Sequence, residues 1–179
     1  MERAMDYSPL ILNDTGGLEK EDFLLLMKKY TNLLGVVMDG AGSGVSNRKK
    51  EQKQSIAKSV SDYFQVRLTA LSAAGISTDR LLFDPGIGFG KNTPENIHLI
   101  RHIHELIPGY PILLGVSRKK FLGEITKEES PENRDPQTLS VMAFVFDKIS
   151  IFRVHAVKAA VDFRNTLNAL REGTIHYGA

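Results

Sequence analysis

Short apolar runs alternate along the chain with longer stretches in which apolar residues recur every three or four positions. The runs Pro9–Leu12, Leu34–Met38, Leu81–Phe83, Ile112–Gly115 and Ile149–Val154 have the length of buried strands. Helical spacing covers about Lys20 to Leu33 and about Lys50 to Ala74. In the second of these Ile56, Val60, Tyr63, Phe64, Leu68 and Leu71 share one face, and Gly75 follows as a terminator. Thr93 reads as a cap with Pro94 at the first helical position, ahead of an apolar stripe of Ile97, Ile100, Ile103 and Ile107. Asp135 and Pro136 repeat that signal before Leu139, Met142, Ala143 and Phe146. A last helix covers roughly Val157 to Leu170, Lys127 to Arg134 is a polar loop, and the tail 171–179 reads as frayed. No repeat, low-complexity tract or linker divides residues 1–179, which read as one domain.

Strand–helix alternation predicts an α/β fold of parallel strands joined by right-handed crossovers. In such folds ligands bind beyond the carboxyl ends of the strands. Those ends carry Asn13 and Asp14; Asp39; Asp84; Ser117, Arg118 and Lys119; and Arg153 and His155. A barrel would gather all of them around one mouth, whereas the bland alternative is that they solubilise loops.

Composition narrows the function classes. The 179 residues carry 23 Lys and Arg against 21 Asp and Glu, a net charge of +2 that points to no particular partner. The basic cluster Arg48, Lys49, Lys50 and Lys53 lacks interleaved aromatics and reads as a solvated loop and helix start, not a nucleic-acid arm. The absence of cysteine excludes disulfides, thiolate metal sites and a cysteine nucleophile. No segment approaches the ~20 apolar residues needed to span a bilayer, and Met1 to Pro9 is no secretory signal. The expected location is cytoplasmic.

Three segments carry chemistry. Asp84-Pro85-Gly86-Ile87-Gly88-Phe89-Gly90-Lys91 leaves a buried strand with glycines that let backbone approach a ligand. It is neither a dinucleotide fingerprint nor a Walker loop. Gly115-Val116-Ser117-Arg118-Lys119-Lys120-Phe121-Leu122-Gly123 sets three cations beside a helix start, as an anion or carboxylate site or as a solvated cluster. In Ile151-Phe152-Arg153-Val154-His155, alternation points Arg153 and His155 to one side, where they hold a phosphate or pair with carboxylates. His98 and His102 stand four apart, but the isoleucine stripe turns them outward, and a solvated helix face is favoured over zinc.

With Asn13-Asp14 after an apolar strand, these segments resemble, in order and spacing, the dihydropteroate synthase family of pterin-binding enzymes, from about residue 9 to 170. The resemblance implies five βα units of a TIM-type (β/α)8 barrel, with the first three units absent, as a partial barrel or an open parallel sheet. It implies the condensation of 6-hydroxymethyl-7,8-dihydropterin pyrophosphate with p-aminobenzoate, giving 7,8-dihydropteroate and pyrophosphate, assisted by Mg²⁺. Matched to the motifs, Asn13, Met38, Asp84, Gly115 and Lys119 hold the pterin, and Ser117 and Lys120 flank p-aminobenzoate. Arg153 and His155 hold the pyrophosphate. The catalytic roles fall on Lys119, Arg153 and His155, and no protein metal ligands are assigned.

Two positions depart from the family pattern. Asp39 stands where a histidine is usual after Met38, and Ala156 where an aspartate usually follows His155. Five parallel strands leave apolar edges open, so a homodimer or a segment carrying the first three units is expected to cover them. The alternatives are a truncated, non-catalytic pterin- or phosphate-binding module and, further off, a flavodoxin-like domain.

Overall fold

The computed structural model describes residues 10–40 and 55–173. Along them run β1 (Ile11–Asn13), α1 (Glu21–Lys29), β2 (Leu34–Met38), α2 (Ile56–Ala73), β3 (Leu81–Asp84) and α3 (Thr93–Arg101). They are followed by β4 (Leu113–Leu114), α4 (Lys120–Thr126), α5 (Asp135–Val145), β5 (Ile151–Phe152) and α6 (Val157–Glu172). The basic cluster at Arg48 to Lys53, the outset of the second helix near Lys50, and residues 174–179 of the tail lie outside the described residues.

The fold is α/β and every strand pairing is parallel. β1, β2 and β3 form one sheet in chain order, and β4 pairs with β5. Among the described residues a single parallel bridge, Phe83 to Ile112, joins the two sheets. This follows from the alternation, because a parallel neighbour can be reached only by a crossover. Among the described residues β1 pairs only with β2 and β5 only with β4, and Ile11 is 38% exposed.

Alternation sorts the strand side chains onto two faces. Val37, Leu81, Phe83 and Leu114 point outward into the main core, against Val60, Phe64 and Leu71 of α2 and Leu99 and Ile100 of α3. Phe83 is the centre of an edge-to-face aromatic row, 5.0 Å from Phe64 and 5.3 Å from Tyr110. On the other face Val36, Met38, Leu82 and Leu113 form a second cluster, flanked by Leu34, Phe89 and Ile151. Neither face is polar, and this is why the strands read as continuous apolar runs.

Helix boundaries differ from the expected ones for identifiable reasons. α1 stops at Lys29, short of Leu33, because Arg80 Nη1 donates to the carbonyls of Met27 at 2.9 Å and Tyr30 at 3.1 Å, replacing a further helical turn. The cap of α3 is Asn92, not Thr93. Its side chain accepts from Glu95 N at 2.9 Å while Glu95 accepts from Asn92 N at 2.7 Å. Of the expected isoleucine stripe Ile100, Ile103 and Ile107 are buried, but α3 ends at Arg101, Ile97 is exposed, and Asn96 and Leu99 are buried as well. Asn96 turns inward because its amide ties Gly88 N at 2.8 Å and Lys91 O at 3.2 Å. Arg134, rather than Asp135, occupies the cap position of α5, and Pro131–Arg134 of the supposedly plain loop form a short 3₁₀ turn.

Two glycines with positive φ separate backbone strain from steric exclusion. Gly75 (φ +79) follows α2, and a Cβ there meets nothing within 4 Å among the described residues. Gly86 (φ +63) lies against β2, and a Cβ there would sit 2.0 Å from Asp39 O. Gly75→Ala is expected to cost about 1 kcal/mol, the left-handed penalty alone, and Gly86→Ala about 3 kcal/mol because strain and clash combine. Urea unfolding of the two variants checks the difference.

Candidate functional site

Each strand's inward face runs on into a site residue. The two-residue step leads from Ile11 to Asn13, from Val36 to Met38, from Leu82 to Asp84, from Leu113 to Gly115 and from Ile151 to Arg153. Apolar packing within the arc therefore gives way, at the carboxyl ends, to a ring of polar groups. Gly115, Ser117, Lys119, Arg153, Val154 and His155 line a cavity of about 180 Å³.

Arg153 organises this cavity. Its guanidinium lies against the backbone of Gly115, donates through Nη1 to Asn13 Oδ1, and places Nη2 3.5 Å from Asp84 Oδ2. A planar set of N–H groups thus spans the amide of β1 and the carboxylate of β3. Asp84 is 1% exposed and also accepts from Gly86 N at 2.8 Å. Burial pushes its carboxyl above the ordinary value. The Gly86 N–H, Arg153, Lys119 and Lys91 all pull the other way.

The three cations of the second motif separate. Lys119 turns toward the cavity, with Nζ 4.3 Å from the centre of the Phe89 ring. Burial and the nearby Arg153 lower its pKa, against the attraction of Asp84. Arg118 turns away into a two-pronged pair with Asp135, at 2.8 and 2.7 Å, which holds the Asp135 carboxyl below its usual range. Arg118 has φ +58, in the left-handed region. Thr138 Oγ1 accepts from its N–H at 3.2 Å and Arg134 Nη1 donates to its carbonyl at 3.1 Å, locking that turn. Lys120 is 88% exposed beside Glu124 and is not among the residues lining the cavity. The expected three-cation cluster is accordingly one cavity lysine, one structural arginine and one surface lysine.

His155 and Ser117 form a unit. Ser117 Oγ accepts from His155 N at 3.1 Å and lies 3.0 Å from His155 Nδ1. Ser117 is 5% exposed, so its hydroxyl fixes the imidazole. Arg153 and His155 line one cavity, as alternation implied, though Arg153 reaches toward β1 and β3. Met38 is fully buried on the inner face beneath the ring.

Two contributors were not singled out from sequence. Phe89 lies inside a glycine run, and a lone aromatic between two glycines is the signal of a wall presented to a cavity. Lys91 is almost wholly buried, and nothing in its sequence context announces that. Elsewhere, the His98 and His102 rings lie 4.5 Å apart and His102 meets Glu105 at 3.1 Å on an accessible face. Among the described residues no three His, Asp or Glu side chains converge as a metal site, and no helix is long and apolar enough to cross a membrane.

Parallel strands with a polar ring at their carboxyl ends, an acidic acceptor set into the floor and cations at the rim define a small-molecule site of the α/β type. Residues 1–155 match the pterin binding enzyme family, and the chain belongs to it. It is 34% identical over 174 residues to a dihydropteroate synthase of Neisseria meningitidis serogroup C, covering 95% of this chain and 62% of that protein. A dihydropteroate synthase of Xanthomonas albilineans solved with 4-aminobenzoic acid superposes with a TM-score of 0.79 at 31% identity, covering 90% of this chain and 57% of the other. The Thermus thermophilus enzyme in complex with 6HMPPP superposes with a TM-score of 0.78 at 27% identity, covering 90% and 64%. The chain thus spans about three-fifths of the length of these relatives.

A carboxyl whose folded pKa lies above its unfolded value contributes stability that is complete below the unfolded value and is lost as pH rises through the folded one. Asp84 is such a group, so its ionised form burdens the fold at neutral pH. Asp84→Asn, which can still accept from Gly86 N, is expected to raise the urea midpoint at pH 7. The gain should vanish near pH 3.5, below the ordinary carboxylate value of 3.8. Unfolding curves at the two pH values test this.

Proposed function

We propose that the chain carries the substrate-binding floor of a dihydropteroate synthase-type transferase. The reaction it serves condenses 6-hydroxymethyl-7,8-dihydropterin pyrophosphate with p-aminobenzoate to 7,8-dihydropteroate and pyrophosphate, in folate biosynthesis. The observation that carries this reading is the Arg153 guanidinium lying across Asn13 and Asp84. Acceptors that hold a planar guanidinium also suit the guanidine-like amino-pyrimidinone edge of a pterin. The ligands solved with the Xanthomonas and Thermus relatives, 4-aminobenzoic acid and 6HMPPP, support the same assignment.

In this reading Asp84 and Asn13 orient the pterin over Met38, and Gly115 leaves room for the ring. When the pterin arrives it displaces Arg153, which then turns with His155 to the pyrophosphate. Cleavage of the C–O bond puts positive charge on the pterin methylene and negative charge on the departing pyrophosphate. Arg153 and Lys119 stabilise the latter. The amine of p-aminobenzoate attacks the methylene and gives up a proton to the departing pyrophosphate, with Lys119 and the Phe89 wall beside it and Ser117 holding His155. Lys120 serves the second substrate only through a change of rotamer at the rim. Mg²⁺ belongs to this reading as a companion of the pyrophosphate, although among the described residues no three His, Asp or Glu side chains converge to hold it. The parallel strands are read as an arc of a (β/α)8 barrel, working in the cytoplasm. A second copy or a segment bearing further βα units would cover its open edges.

Calorimetric titration tests the proposal. Dihydropterin pyrophosphate should bind the chain, and Asp84→Ala should weaken binding about a hundredfold, the scale of two hydrogen bonds to a charged group. Arg153→Ala should separate two ligands: weaker binding of the pterin pyrophosphate, with equal or tighter binding of the bare pterin. A folded chain that binds neither ligand would sink the reading.

A further inference from the structure

Behind the cavity, the loop from Gly86 to Lys91 closes on itself around a buried ammonium. Lys91 Nζ donates to the carbonyls of Asp39 at 3.0 Å, Gly86 at 3.1 Å and Phe89 at 3.3 Å, and lies 3.3 Å from the Asp39 carboxylate. The side chains of Lys91 and Asp39 are both fully shielded from solvent. A lysine is seldom buried so completely, and one that is must be matched by charge and hydrogen bonds. Here the match comes from three backbone carbonyls and one carboxylate, drawn from two loop ends that also carry the site.

The geometry points to Lys91 as a positioning residue for the ligand site, with Asp39 as its counter-charge. Its ammonium gathers the loop so that Gly86 delivers its N–H to Asp84 and Phe89 brings its ring under Lys119. Each link is a distance: Gly86 N to Asp84 Oδ1 at 2.8 Å, Phe89 N to Gly86 O at 3.0 Å, and Lys119 Nζ to the Phe89 ring at 4.3 Å. On the far side Asn96 holds the same loop through Gly88 N and Lys91 O. Asp39 N also donates to Asp84 O at 3.0 Å, so the counter-ion and the floor carboxylate stand on adjacent strand ends.

Lys91 also acts on Asp84 through its charge. Asp84 is faced by Arg153 from the end of β5, Lys119 from the loop after β4 and Lys91 from its own loop, with the Asp39 carboxylate behind Lys91 at the end of β2. Lys91 is thus the one of these three cations that sits outside the cavity, where no substrate can displace it. A residue that filled space without holding the loop against Asp84 or facing it with charge would leave the titration of Asp84 unmoved.

This inference rests on the pterin reading for its purpose, and the experiment separates the two. Lys91→Met leaves Asp39 buried without its counter-charge and risks the fold. It is therefore paired with Lys91→Met/Asp39→Asn, which removes both charges. In the unliganded chain, the double variant should keep its circular dichroism spectrum while amide exchange at Gly86 and Phe89 quickens at least about tenfold and the β2 and β3 amides hold. Binding of 6-hydroxymethylpterin should weaken about tenfold, the low end of what supporting contacts around a site carry. In Lys91→Met, carbon-detected NMR should show the Asp84 carboxyl titrating at higher pH than in the parent. If Lys91→Met does not fold, the exchange data of the double variant decide. Loop amides protected as in the parent would overturn the inference. So would an unmoved Asp84 titration in a folded Lys91→Met. A parent chain that binds no pterin would defeat the functional reading alone, since exchange and titration are read without ligand.

Discussion

A parallel strand packed on both faces has one place for polar chemistry, the point where it leaves the sheet at its carboxyl end. Everything in the site of this protein follows from that constraint. Val36, Leu82, Leu113 and Ile151 make the inner face dry, and the next inward position on each strand is the first that can carry function. Met38, Asp84, Gly115 and Arg153 occupy those positions, with Asn13 in the equivalent place on β1. The ring is therefore set by sheet geometry, and the loops add Ser117, Lys119 and His155 to what the strands deliver.

The energetic centre of that ring is a carboxylate with almost no contact with water. Asp84 is held by the Gly86 N–H and by cations at graded distances, against a desolvation that favours its neutral form. Such an arrangement suits a group meant to receive donors from a ligand. It also explains the density of basic residues in a protein whose net charge is close to neutral. Arg153 and Lys119 serve the cavity, Lys91 serves the loop behind it, and Arg118 is committed entirely to Asp135.

Much of this was legible in the sequence because it depends on periodicity. The alternation of strands and helices, their parallel pairing and the residues at each strand end all follow from spacing that a reader can count. What escaped depends on which side chains find each other, near or far along the chain. Helix α1 ends where Arg80, some fifty residues on, claims its carbonyls. Asn92 outcompetes Thr93 as a cap because Glu95 reciprocates. Three adjacent cations look equivalent on the page, and they part company only because Asp135 and Glu124 come close in space. Lys91 offers no local sign of burial at all. The ligand itself is not legible from spacing, which leaves it open between an anion and a carboxylate.

The Arg153 guanidinium also has a kinetic meaning. Bridging Asn13 and Asp84, it is a tethered competitor for the same acceptors, and tethering on a short chain corresponds to a local concentration in the millimolar range or above. A free amine, urea or guanidine-like metabolite at cellular dilution meets a seat already taken and lacks the means to clear it. A ligand that carries its own anion offers the arginine a second place to go, and so exchanges one contact for another instead of simply breaking one. In the proposed function, that exchange would favour two-part molecules, a planar donor edge joined to a phosphate, over either part alone.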